Sequence, residues 1–340
     1  MACSRRRPAA AAAALVVVAA VVLAGGIVAR RADATAPAPS IPAGTLGIKP
    51  GAGFLTLEGF RRDEARIGGR IGWTVQMADR TSPEVMMASV QGQLVGGRDD
   101  LAALAGEVRL VMSVPLGFGK DLDARSDPAG VRRMLQSVAA GRYDHAYRAV
   151  ARNLVAGGHP DAVIRLGWEF DGVWSPWSAA RGNHDAYVAA FRHVHGVFRE
   201  VSSAFLFDWC SMRLGWEETG RLAYPGDAFV DVISMDVYWR PPGGGGWDER
   251  FWARVSATMD DHQAFAAARG KPVAYPEWAL DSADEPRFIE AMWRQMAELP
   301  DAGPGSLLYQ SYFDVPGEYA LVGHPRSEAR YVELFASTAG

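Results

Sequence analysis

From residue 45 onward, short apolar runs alternate with longer stretches in which apolar side chains recur every three to four positions. A run of four to seven residues bounded by turn formers suits a strand buried on both faces, and the longer-period stretches suit helices with one buried stripe. The runs are Leu46–Lys49, Ile71–Met77, Val108–Val114, Ala162–Leu166, Ala204–Trp209, Val230–Met235, Pro272–Tyr275 and Ser306–Gln310. Helix ends fall between them: Ser82-Pro83-Glu84 and Asp127-Pro128 each offer a cap followed by proline at the first helical position, and Gly157 and Gly270 suit C-terminal caps. From Asn183 to Glu200, Val188, Phe191, Val194 and Phe198 keep helical spacing and make a face to pack on a sheet.

Alternation of strand and helix builds a parallel sheet, and eight strands close it, so the expected fold class is α/β, a (β/α)8 TIM barrel spanning residues 45–335. The rival is a doubly wound open sheet, which wants a glycine-rich turn opening a helix after the first strand. Pro50-Gly51-Ala52-Gly53 is not that fingerprint. Ahead of the barrel, residues 35–44 form a Pro/Ala linker too poor in large apolar groups to pack. Residues 1–34 read as a targeting segment, with a basic run at Arg5–Arg7, an apolar stretch from Ala9 to Ala29, and small residues at Ala32 and Ala34 suited to cleavage. That stretch also reaches across about 30 Å of hydrocarbon, so a cleaved signal peptide and a retained membrane anchor both stand. Either way the barrel is expected outside the cell, secreted or held at the surface.

The leader carries +4 of a total charge of -4, which leaves -8 on the rest and argues against nucleic acid as a partner. Cys3 lies in the leader and Cys210 stands alone in the body, so no internal disulfide forms and stability rests on the packed core. His193 and His195 are two apart within one helix, hence on different faces, and suit structural roles better than a joint metal site. No metal, no cofactor and a monomeric state are the expectation.

A barrel of this kind carries its active site at the carboxyl ends of the strands. Run four leads into Trp168-Glu169-Phe170-Asp171-Gly172-Val173-Trp174-Ser175-Pro176-Trp177, and run seven into Pro276-Glu277-Trp278. Cleavage of a glycosidic bond needs one carboxylic acid to protonate the leaving oxygen and a second carboxylate to attack or to position water. Glu169 and Glu277 supply that pair. Apolar rings around Glu169 favour its protonated form, and a donor such as Tyr238 keeps Glu277 charged. Arg165 is expected to point into the barrel or its mouth and pair with a carboxylate, with Asp208, Asp231 and Asp236 in the same polar layer.

These segments resemble glycoside hydrolase family 26, the β-mannanase family, over most of residues 45–335. The resemblance rests on Trp168-Glu169-Phe170-Asp171-Gly172 with Trp174 and Trp177, the Tyr224-Pro225-Gly226-Asp227 turn, Asp236 and Tyr238, and Lys271-Pro272 leading to Glu277. It implies a retaining hydrolase with Glu169 as acid/base, Glu277 as nucleophile and Tyr238 as the nucleophile's hydrogen-bond partner. The chain departs from the family where histidine usually precedes the acid/base and asparagine usually follows two residues on. Trp168 and Asp171 stand there.

Nine of the 11 tryptophans lie between Trp168 and Trp278, and sugar rings stack on such side chains. Trp168, Trp174, Trp177, Trp209, Trp239 and Trp278 are therefore substrate-binding candidates, with Asp171, Asp236 and Tyr238. Core packing accounts for Trp73, Trp252 and Trp293. The loop from Arg240 to Trp247 holds four consecutive glycines and reads equally as a mobile rim or a spacer. The expected partner is a β-linked polysaccharide, mannan or a related β-glycan, cleaved internally. A catalytically silent barrel that binds glycan at the cell surface is the alternative, and retention of both carboxylates speaks against it.

Overall fold

The computed structural model describes residues 46–48, 57–95, 101–281, 283–315, 317 and 319–336. The leader (1–34) and the linker (35–44) lie outside the described residues. Residues 41–340 are one compact unit, and the fold described is that unit's.

Every apolar run becomes a strand: β1 (Leu46–Ile48), β2 (Ile71–Met77), β3 (Arg109–Val114), β4 (Val163–Leu166), β5 (Leu206–Met212), β6 (Val232–Trp239), β7 (Val273–Leu280) and β8 (Leu307–Tyr312). They pair in parallel in chain order, and β8 returns to β1 to close the barrel. Around them run α1 (Leu57–Ile67), α2 (Pro83–Val95), α3 (Pro128–Ala139), α4 (Asp144–Ala156), α5 (His184–Arg199), α6 (Glu249–Ala267), α7 (Pro286–Ala297) and α8 (Pro325–Ala336). The caps form where the sequence offers them. Asp127 Oδ1 accepts from the Gly130 N–H at 2.7 Å ahead of α3, and Ser82 Oγ from the Val85 N–H at 3.3 Å ahead of α2. Past α6, Gly270 takes the left-handed conformation at φ 70°, and past α4 it is Gly158, one beyond the expected Gly157, that does so.

Two crossovers depart from the simple repeat. Two helices, α3 and α4, join β3 to β4, whereas β5 to β6 has only a 3-10 turn at Gly220–Ala223. The surface a helix would have covered is sealed by rings instead. Trp209 lies 5.9 Å from Trp216 and 5.0 Å from Tyr224, and Phe265 of α6 meets all three within 6.1 Å.

Successive strand residues face opposite sides, so each strand offers one set of side chains to the barrel interior and the other to the helices. At the amino end the interior is apolar: Val75, Val111, Val163, Val232 and Ala274 surround Trp73, which stacks on Tyr309 at 4.8 Å. At the carboxyl end it turns polar. Strands β5, β6 and β7 run on past the apolar runs, to Met212, Trp239 and Leu280, so Asp236, Tyr238, Glu277 and Trp278 lie within strands and not in the loops after them.

Candidate active site

Arg165 of β4 is fully buried in the barrel interior, where an isolated cation would be very costly. Its guanidinium is paired on two sides. Nη1 donates to Glu277 Oε1 at 2.6 Å and to Ser113 Oγ at 3.2 Å, while Nη2 meets Asp236 Oδ2 and Cys210 Sγ, the latter at 3.3 Å. Burial pushes the Asp236 carboxyl well above the usual carboxylate range, with Arg165 opposing. One layer deeper, Asp208 accepts from Ser234 and Tyr309, and burial raises it to about 6. Asp231 is not part of this layer: it precedes β6 and pairs with Arg199 at 2.9 Å on the outside.

Glu277 faces inward because of an irregularity in β7. Between Ser234 and Val237 of β6 there are three steps, but the matching pairs on β7, Ala274 and Trp278, are four apart. Against β8 the same strand again carries one residue too many, between Tyr275 and Trp278. Pro276 sits in that stretch and has no N–H to give a ladder. The extra residue turns Glu277 to the interior while Tyr275 and Trp278 both pack outside. There Tyr238 donates to Glu277 Oε2 at 2.6 Å, so each carboxylate oxygen is held by a separate donor.

Glu169 follows β4 at φ 49°, a left-handed conformation uncommon for a side chain with a Cβ, and its N–H is fixed to the Cys210 carbonyl at 2.9 Å. It is half-buried, with the Trp174 indole near enough to favour its charged form, and among the described residues it forms no ion pair with Arg165. Its carboxyl is raised to about 7, first by burial and then by repulsion from Glu277, with Arg165 and the Trp174 hydrogen bond pulling the other way.

Glu169, Trp174, Asp236 and Tyr238 line one cleft of about 580 Å³ at the carboxyl end of the barrel, with Glu277 joined to it through Tyr238. Trp174 is 37% exposed and its ring lies against Gly172, where an added Cβ would come within 2.4 Å of it. Trp168 is half-buried with the Arg165 guanidinium 5.7 Å from its ring. The remaining candidates go elsewhere. Trp177 is buried under Trp168, giving its indole N–H to the Trp168 carbonyl at 2.7 Å. Trp209, Trp239 and Trp278 point outward from their strands into the aromatic layer beneath the helices: Trp239 lies flat on Trp247 at 5.0 Å, and Trp278 gives its N–H to Gln310 at 2.7 Å. Buried Asp171 accepts from the Met212 N–H at 2.9 Å and fills the space left by Gly215, so it braces the turn after β5. None of these five offers a surface for sugar to stack on. The glycine loop is anchored at its two ends, where Arg240 pairs with Asp281 and Trp247 is clamped between Trp239 and Arg287, while Gly243, Gly244 and Gly245 between them are exposed.

Pattern reading missed Met212, Arg213, Leu214, Arg240, Phe313 and Tyr319, which complete the cleft. Placing strand ends at the last apolar residue hid them. Among the described residues no group of three or more His, Cys, Asp or Glu is placed to hold a metal.

No model of a known protein family matches the chain. Among curated proteins, endoglucanase H of Acetivibrio thermocellus is 28% identical over 149 residues, which is 41% of this chain and 16% of that protein. Solved structures resemble the chain over most of its length. An endo-β-1,4-mannanase of Cellulomonas fimi, as a double mutant, superposes with TM-score 0.61 at 18% identity, covering 87% of this chain and 70% of that one. The GH26C protein of a Muricauda species gives 0.60 at 16%, covering 88% and 86%. A GH26 endo-β-1,4-mannanase catalytic domain of a Bacillus species gives 0.58 at 15%, covering 82% and 79%. The chain thus has the barrel fold of the family 26 glycoside hydrolases that its motifs resemble.

Proposed function

We propose that the chain is a retaining, endo-acting glycoside hydrolase of a β-linked polysaccharide, mannan or a related β-glycan, with Glu277 as nucleophile and Glu169 as acid/base. The observation that carries this reading is the opposed setting of the two carboxyls. Glu277 is held as an anion by Arg165 and Tyr238, and Glu169, beside it and in no ion pair among the described residues, keeps its proton to about pH 7. In the first step Glu277 attacks the anomeric carbon while Glu169 gives its proton to the departing oxygen, breaking the C–O bond and leaving a glycosyl ester on Glu277. In the second, Glu169 as carboxylate takes a proton from water, the water oxygen attacks the same carbon, and Glu277 leaves. Two inversions give net retention.

The open cleft and exposed Trp174 suit a polymer that passes through, and action on a polymer fits the export that residues 1–34 suggest. We place the enzyme outside the cell, secreted or tethered, as a monomer. The test is hydrolysis of β-mannans, β-glucans and xylans by the purified protein beside Glu277→Ala, with proton NMR of the first-formed reducing sugar. Turnover with retained configuration, absent in the variant, is the expected result. Inversion would make Glu277 a general base, and binding without turnover would make the barrel a glycan-binding protein.

A further inference from the structure

The cleft wall built by the residues after β5 carries a cation that the proposed chemistry leaves unused. Arg213 is half-buried in the cleft lining, and no acidic side chain among the described residues lies within ion-pairing distance of it. Its guanidinium rests against the Phe251 ring at 5.1 Å, and Arg254 approaches the same ring at 5.7 Å, so a second positive charge reinforces the first. Burial and then Arg254 both work against the charge on Arg213, with only the exposed Glu217 helping it. The acids of the cleft cannot compensate. Asp236 and Glu277 are taken by Arg165, Glu169 is neutral up to about pH 7, and Asp281 is taken by Arg240.

An arginine kept half out of water without an acid is a cost that the hydroxyls of a neutral glycan relieve only in part, whereas a carboxylate or sulfate would meet it through a two-pronged contact that also neutralises the charge. We infer that the glycan taken by this cleft carries an anionic substituent, a carboxylate or a sulfate ester, and that Arg213 recognises it. This rests on the glycosidase reading of the cleft, and it narrows the substrate to an acidic member of the β-glycans.

The test uses matched oligosaccharides that differ in charge alone: β-1,4-mannohexaose against the β-1,4-mannuronate hexamer, and cellohexaose against its glucuronate and 6-sulfate counterparts. Affinities are measured by calorimetry on the full chain carrying Glu169→Gln, which blocks turnover, at low and high salt. At least one acidic oligomer should bind about tenfold or more tightly than its neutral twin, with the gap shrinking in salt. Whether the uronate or the sulfate shows it identifies the group. Arg213→Gln should erase the gap and Arg213→Lys should keep part of it, with unchanged melting confirming that both fold. If no acidic oligomer outbinds its twin, or the gap survives Arg213→Gln, the inference fails. Turnover of neutral oligomers without any dependence on Arg213 would sink it and leave the hydrolase standing; charge-dependent binding with no turnover by the unmodified chain would do the reverse.

Discussion

Replacing Trp174 by Phe removes one of the groups that pull Glu169 toward its charged form, beside the fields of Arg165 and Arg240. Glu169 must hold a proton to act as the acid, so activity is present below its pKa of about 7 and falls as pH rises through it. The Trp174 indole N–H stabilises the carboxylate and so lowers that pKa against the larger effect of burial. Phenylalanine keeps an apolar ring there and drops the donor, so the alkaline limb of kcat/KM should move up. A hydrogen bond to a charged group is worth about 1.5–3 kcal/mol, but Trp174 is 37% exposed and water replaces part of the loss. Roughly half survives, about 0.7–1.5 kcal/mol, which moves the midpoint of the limb up by about 0.5–1 on the pH scale. The assay is a pH–rate profile on a β-glycan that the unmodified enzyme cleaves. A limb that stays put, or shifts to lower pH, would refute the reasoning, and Glu169→Gln on an activated aryl glycoside should remove the limb altogether.

Three further outcomes follow from the same charges. Because the Glu169 carboxyl is raised from 4.5 to about 7 in the fold, stability is fully present below about pH 4.5 and declines as pH rises toward 7. Glu169→Gln should therefore gain about 2 kcal/mol at pH 8, after discounting for part exposure, and nothing at pH 4; equal gains in urea unfolding at both would contradict this. Arg165→Met leaves Glu277 and Asp236 buried without their cation and should cost about 3–5 kcal/mol at pH 7, less at pH 5, and a loss under about 1 kcal/mol would mean the pair is not holding the site. Gly172→Ala should displace the Trp174 ring, raise KM and reproduce the upward shift of the alkaline limb, and a crystal structure with the ring in place would rule that out.

The barrel was legible because its amino-terminal half is a plain apolar lattice: runs such as Ile71–Met77 and Val108–Val114 become β2 and β3 with at most one residue of difference. Where the interior turns polar the apolar runs stop short, since Asp236 and Glu277 lie past their last residues although β6 and β7 continue through them; the pairing of Arg165 with a carboxylate is expected from the sequence, the register that turns Glu277 inward is not. The misplaced tryptophans share one cause. With Asp236 and Tyr238 inward, alternation alone sends Trp239 outward, and with Cys210 inward beside Arg165 it sends Trp209 outward. Trp278 was beyond such reasoning, because the extra residue in β7 reverses the parity there. Trp209 had a further reason to be taken for a sugar contact: nothing in the sequence announces that the β5–β6 crossover lacks a helix and needs rings to seal it. Arg213, the cation on which substrate charge is argued, was missed because β5 continues three residues past the last apolar position that pattern reading could use.

In the proposed mechanism, the division of the two carboxyls into acid and nucleophile follows from where one arginine reaches. Arg165 bonds Glu277 and Asp236 directly but reaches Glu169 only through its field, which burial and the repulsion of Glu277 outweigh, so the two glutamates are driven apart in proton affinity. That arrangement depends on Pro276. Counting from inward Ala274 by strict alternation, Glu277 would turn to the helices, where a carboxylate has no cation and Arg165 would lose one of its two acids. The inserted residue costs a ladder hydrogen bond and a register shift on both neighbours, a local loss that gives no stability back by itself. Its return is geometric: it delivers a charged oxygen to the barrel mouth between Tyr238 and Arg165 while the flanking Tyr275 and Trp278 still pack in the core. Under the proposed mechanism the irregularity in β7 belongs to the catalytic device, and the buried arginine is what makes it bearable.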